Sequence, residues 1–142
     1  MRSGDLIAYR GSGLTSALVR WATHSEYSHV GVVINVSGQF FVAEAMILKG
    51  VRITPIDKLP EDFERIKTPI AFSNSALAFV FNHLGDKYSI VDALFAAVGL
   101  KQVEHNGWQC AEFAAAVLNR CGFKTEQRRN LTPIELIDAV KN

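Results

Sequence analysis

The chain has 142 residues, of which 49% are hydrophobic and 20% charged, with 15 basic against 14 acidic side chains. That length fits one domain, residues 1–142, able to bury roughly 70% of its unfolded surface and so to hold a core without staples. The composition excludes a disordered or membrane-embedded chain, and the near-neutral balance supplies no broad field toward nucleic acid or anionic lipid, so specificity must come from a local site.

Residues 5–10 read as a first strand, closed by Gly11-Ser12-Gly13. Leu14, Leu18, Trp21 and Ala22 then recur at helical intervals, and the polar Thr23-His24-Ser25-Glu26 ends that short helix. Residues 28–34 are β-branched and strand-like, and after Ser37-Gly38 a second such run covers 39–45, so the two predict a hairpin. Residues 51–54 and 63–67 extend the sheet, with Pro55, Pro60 and Pro69 marking breaks. The second half is helical in pattern. Residues 74–84 form one helix stopped by Gly85, residues 90–98 another, and Thr132-Pro133 caps and opens a last one through Val140. The fold class expected is α+β, a small antiparallel sheet with helices packed mostly on one side.

Between these helices, Asn106-Gly107-Trp108-Gln109-Cys110-Ala111-Glu112-Phe113 runs from a turn into a helix that opens almost at a cysteine. Cys110, Phe113, Ala114, Val117, Leu118 and Cys121 share one stripe, so Cys110 looks inward from a helix N-terminus. Unpaired N–H groups and the positive end of the macrodipole favour a thiolate there. A free cysteine is more often a small buried hydrophobe, and the rest of the chain has to decide between the two. The two cysteines stand eleven residues apart on this helix, about 16 Å along its axis, too far for a disulfide.

His29, Gly31 and Val33 share one strand face, and Gly31 leaves a gap where the Cys110 helix is expected to approach. With Ser37-Gly38 as the turn, opposed residue numbers sum to 75, which sets Gly31 against Glu44 and puts Glu44 diagonal to His29, roughly 7 Å away on the same face. A glutamate on so apolar a strand needs a partner, and His29 can be one. Cysteine, base and orienter would then activate a thiol for acyl chemistry. His24, His83 and His105 stand on loops or helix ends without paired metal-ligand spacing, so no metal site is expected. Tyr27 precedes this strand and Trp108 precedes the cysteine, and both are candidates for the cleft wall and substrate binding. Gly85-Asp86-Lys87-Tyr88 reads as a helix-ending turn. The start of the chain has no apolar signal core, and apolar runs such as residues 93–98 are too short to span a membrane, so a soluble, cytoplasmic protein without stable membrane insertion is expected.

Gly4-Asp5-Leu6-Ile7, Ser28-His29-Val30-Gly31, a strand bearing Glu44, and Cys110-Ala111-Glu112-Phe113, in that order, resemble the circularly permuted branch of the NlpC-type papain-like fold, especially the YiiX-like proteins. Ordinary papain-like enzymes place the cysteine first, whereas here His29 precedes Cys110 by 81 residues, as in permuted members. The resemblance implies Cys110 as nucleophile, His29 as base and Glu44 as the group that orients His29. It implies a cysteine hydrolase of amide or peptide bonds, working through a thioester on a peptide or acyl-amide substrate with no cofactor; substrates in the wider family include cell-wall peptides. A related branch, the lecithin:retinol acyltransferase-like enzymes, shares a Gly-Asp-Leu-Ile-like opening, but this chain has Cys110-Ala111-Glu112-Phe113 in place of its Cys-Glu-His-Phe-like segment, and Glu44 where that branch tends to have a second histidine. An esterase or acyltransferase acting on lipid-like groups with the same three residues, and a catalytically silent binding module, are the alternatives.

Overall fold

The structure is a computed structural model and describes residues 1–11, 25–89, 107–125 and 131–142; the helices expected over 14–22 and 90–98 lie outside the described residues. The elements are β1 (Leu6–Tyr9), β2 (His29–Val36), β3 (Gln39–Met46), β4 (Gly50–Pro55), a short 3₁₀ turn (Ile56–Lys58), β5 (Phe63–Ile66), α1 (Asn74–His83), α2 (Cys110–Arg120) and α3 (Pro133–Lys141). The five strands form one antiparallel sheet in the order β4-β3-β2-β1-β5. The architecture is α+β, as the sequence pattern predicts.

The β2–β3 hairpin is closed by Ser37 and Gly38, both at positive φ (52° and 85°). Two such residues build the tight turn whose twist matches the strands, and a two-residue loop leaves no freedom of register. Val32 accordingly pairs with Ala43 and Val36 with Gln39, the expected sum of 75.

Both faces of the sheet are covered. Leu6, Ala8, Val30, Val32, Ile34, Ala43 and Ala45 point toward the helices, while Ile7, Tyr9, Val33 and Val42 form a second cluster on the far face, roofed by Phe40, Ile56, Leu59 and Phe63. Helix α2 lies on β2 and β3, with α1 and α3 against it. Phe113, Val117 and Leu118 are fully buried, and at about 1.5–3 kcal/mol for each large apolar side chain, packing outweighs intrinsic propensity in holding the helix. The N-terminus of α2 is capped by a reciprocal box in which Gln109 and Glu112 each accept the other's backbone N–H. Thr132 and Glu135 form the same box at α3, with Pro133 in the first turn.

The face on which α2 lies corrects one expectation. Gly31 belongs to the far face, away from α2, and a Cβ there would come within 2.4 Å of Val42 Cγ1 and 3.2 Å of Glu44 Cβ. The glycine therefore makes room for β3 side chains, not for the helix.

Asp5, fully buried, ties β1 to its neighbours. Its carboxylate accepts from the backbone N–H of Arg2 (3.0 Å) and from Arg65 Nε (2.8 Å) on β5, with Arg65 Nη2 at 2.6 Å. Burial alone would raise the carboxyl; these hydrogen bonds and the Arg65 charge hold it below its ordinary value.

Candidate active site

Cys110 opens α2 at the end of the sheet where β2 begins, and His29 is the first residue of β2. His29 shares the far face with Val33, yet from the first position of the strand it still reaches the helix start. Its ring forms a hydrogen bond with Cys110. Nε2 lies 2.8 Å from Glu44 Oε2, which leaves Nδ1 as the nitrogen for the thiol. The Tyr9 ring, opposite His29 in the β1–β2 ladder, packs on the imidazole at 5.3 Å between centroids.

Glu44 is 0% exposed and has no unspent oxygen. Oε2 faces His29, while Oε1 accepts from Arg52 Nε (3.0 Å) and Thr54 Oγ1 (2.8 Å), with Arg52 Nη2 at 2.9 Å. Arg52 is directly opposite Glu44 in the β3–β4 ladder, and Thr54 shares its strand face. Four polar contacts from three side chains offset the cost of burying this charge. Burial raises the Glu44 carboxyl, but the hydrogen bond and charge of His29, then Thr54 and Arg52, bring it below its ordinary value.

The imidazole and thiol are shifted toward the ion pair. Burial would lower His29, yet hydrogen bonds and charges of Cys110 and Glu44 raise it to about 9. Burial would raise Cys110, which is 6% exposed, but the His29 hydrogen bond and charge, and the backbone N–H groups of Val30 and Ala111, lower it. A thiolate beside an imidazolium is the form that attacks an acyl carbon.

Tyr88 completes the surroundings and escaped the sequence reading. Residues 87–89 run alongside 107–109, with Trp108 N–H donating to Lys87 O (2.9 Å) and Ser89 N–H to Trp108 O (3.1 Å). Gly107 permits the approach: a Cβ there would sit 2.9 Å from Lys87 O and 3.0 Å from Ser89 N. The bridge delivers the Tyr88 hydroxyl to the backbone N–H of Cys110, whose hydrogen bond it accepts. Burial, then the charge of Cys110, pushes the Tyr88 phenol far above its ordinary value, so it stays protonated and can donate.

The two expected substrate-binding residues are placed elsewhere. Tyr27 is 2% exposed and its hydroxyl donates to Glu64 (2.5 Å), so little of it is offered to a ligand. Trp108 is half-buried against Phe79, His83 and Phe113, and its indole N–H donates to Asp86 (3.1 Å). Both positions stiffen the frame around the site. On the far face, a cavity of about 250 Å³ is lined by His29, Glu44, Tyr9, Arg52, Thr54 and Lys58 among others, and Cys110 is not part of its wall.

No family model and no curated protein matches the chain. Among solved structures it is similar to the metalloprotein YiiX from Escherichia coli O157:H7, with a TM-score of 0.64 at 20% identity over 84% of this chain. The match spans 66% of that protein's length. The fold is thus YiiX-like, as the resemblance implied. Here both Glu44 oxygens are committed to His29, Arg52 and Thr54, and among the described residues no group of three His, Cys, Asp or Glu side chains could hold a metal ion. The described residues do not fit such a group. Among the described residues no helix is long and apolar enough to cross a membrane.

Proposed function

We propose that the chain is a cysteine hydrolase of permuted papain-like topology that cleaves an amide or peptide bond through a thioester on Cys110. The observation that carries this reading is the unbroken chain of hydrogen bonds from Cys110 through His29 to a fully buried Glu44. The Cys110 thiolate attacks the carbonyl carbon, and the carbonyl electrons move to oxygen. The oxyanion accepts from the Cys110 N–H and, in place of their mutual bond, from the Tyr88 hydroxyl. As the carbonyl re-forms, the C–N bond breaks and His29 gives its proton to the departing amine. Neutral His29 then takes a proton from water, whose oxygen attacks the thioester. The C–S bond breaks, the acid leaves, and the ion pair is restored. Glu44 holds the imidazole in the required tautomer and stabilises the imidazolium throughout.

Thiol labelling tests the reading. Cys121 is half-buried, 3.9 Å from the Ser73 hydroxyl, and among the described residues no imidazole bonds to it. In the native protein iodoacetamide should modify Cys110 far faster than Cys121 at mildly acidic pH, and an active ester such as p-nitrophenyl acetate should leave an acetyl group on Cys110, read by intact mass and peptide mapping. Equal labelling of the two thiols and no acyl adduct would turn the site into a binding cleft without chemistry.

A further inference from the structure

The far-face cavity is built from one element of the proposed machinery and several groups the mechanism leaves unused. His29 is in its wall and Cys110 is not. In a cysteine–histidine site the acyl part stays on sulfur while the leaving amine takes its proton from the imidazole, so the leaving group is the part of the substrate that lies against the histidine. The cavity's size, about 250 Å³, is that of about eight waters, or one amino-acid residue.

The charge in the wall has a direction. Glu44 is internally compensated by His29, Arg52 and Thr54. The Arg52 side chain uses Nε and one Nη on Glu44 and Met46 Sδ, and 31% of it remains exposed. Lys58 is exposed at the rim and has no ion-pair partner among the described residues; Asp62 is the opposing carboxylate on the same wall. Tyr9 supplies an independent sign: it lines the cavity, is 6% exposed, and its hydroxyl is the one buried side-chain polar atom among the described residues without a hydrogen-bond partner. Burial and then the Glu44 charge raise the Tyr9 phenol far above its ordinary value, so it is a donor awaiting an acceptor. Two cations and a spare donor over an apolar floor that includes Leu59 suit a small carboxylate better than a cation or a neutral group.

We propose that this cavity is the leaving-group subsite and that it takes a single amino acid by its free carboxylate, held by Arg52, Lys58 and the Tyr9 hydroxyl. The bond cut would then be the last amide of an acylated amino acid. This rests on the hydrolase reading given above.

The experiment separates the two. Cys110→Ala protein, unable to react, is titrated with L-leucine and with L-leucinamide while amide and imidazole NMR signals are followed. L-leucine should bind about tenfold or more tightly than L-leucinamide and shift His29 and Leu59. Lys58→Ala should remove a severalfold share of that preference without changing L-leucinamide binding, and Arg52→Gln should abolish it. Equal binding of acid and amide, or no binding of either, overturns the subsite while leaving Cys110 acylation untouched. In wild-type protein carrying acetyl-Cys110, L-leucine should intercept the thioester as N-acetyl-leucine faster than L-leucinamide at equal free-amine concentration. Carboxylate binding in a protein whose Cys110 no active ester acylates would overturn the leaving-group role and the hydrolase reading together.

Discussion

Asp5 and Glu44 are two fully buried carboxylates in one sheet, each facing an arginine that remains 31% exposed. Asp5 meets only donors that never titrate in the working range, the backbone N–H groups of Arg2 and Thr68 and the side chains of Arg65 and Arg2, so its arrangement has one state and serves to clamp β1 against β5. Glu44 shares its charge between Arg52, Thr54 and His29, and His29 can lose its proton. The difference lies in the third partner. A buried carboxylate with arginine is a piece of framework, and the same carboxylate with a histidine that also reaches a thiol is a device that holds a proton on the imidazole beside the sulfur.

The comparison breaks most completely at the histidine. His29→Gln keeps an amide against Glu44 but removes the base, and turnover should fall by about a thousandfold, with Cys110 alkylation at pH 6 losing its advantage over Cys121. Glu44→Gln should stay folded, lose turnover by a factor between about ten and a thousand, and raise the pH midpoint of Cys110 alkylation, because the charge favouring the ion pair is gone. The wild-type pH profile belongs to the same side. His29 is raised, so its imidazolium is complete at neutral pH and is lost as pH rises through about 9; Cys110 is lowered, so the acid limb lies below the ordinary thiol range. The profile of kcat/KM should be bell-shaped with its alkaline limb near 9, and the two limbs belong to the pair as a whole. On the framework side, Asp5→Ala strands Arg65, which keeps part of its guanidinium in water, so a loss of about 2 kcal/mol in urea unfolding is expected, with the alkylation midpoint unmoved. A midpoint that follows Asp5 would abolish the distinction.

Much of the Glu44 side was legible because a two-residue turn carries its own arithmetic. Ser37-Gly38 fixes parity, parity puts Glu44 beside His29, and the structure has that register. Parity says which residues share a face but not which face a helix covers. With Val30, Val32, Val33 and Ile34 all buried, the strand is apolar on both sides, which is why Gly31 was assigned to the wrong neighbour. Arg52 and Thr54 needed the same logic one hairpin further on, but that turn passes through Leu48 at φ 64°, a residue with no sequence signal for the left-handed region, so its register could not be counted. Tyr88 had no period to betray it. Its hydroxyl reaches Cys110 through a single bridge between segments about twenty residues apart, and only Gly107 marks the close approach.

The smallest expected effect is the sharpest control, because it changes a carboxylate two residues from the nucleophile. Glu112 lies in the first turn of α2, half-buried, and accepts the backbone N–H of Gln109 at 3.4 Å in the capping box. Its negative charge near a helix N-terminus stabilises the helix, and by proximity alone it is a better candidate for tuning Cys110 than Glu44, which belongs to another element. After burial, the largest effects on Cys110 come instead from His29, Val30 and Ala111. A glutamine can still accept the Gln109 hydrogen bond, so Glu112→Gln should cost no more than a few tenths of a kcal/mol of stability and shift turnover and the alkylation midpoint by less than about twofold. If Glu112→Gln proves the damaging change and Glu44→Gln the silent one, the carboxylate that matters acts through the helix terminus, and the chain from Glu44 through His29 is framework like that of Asp5.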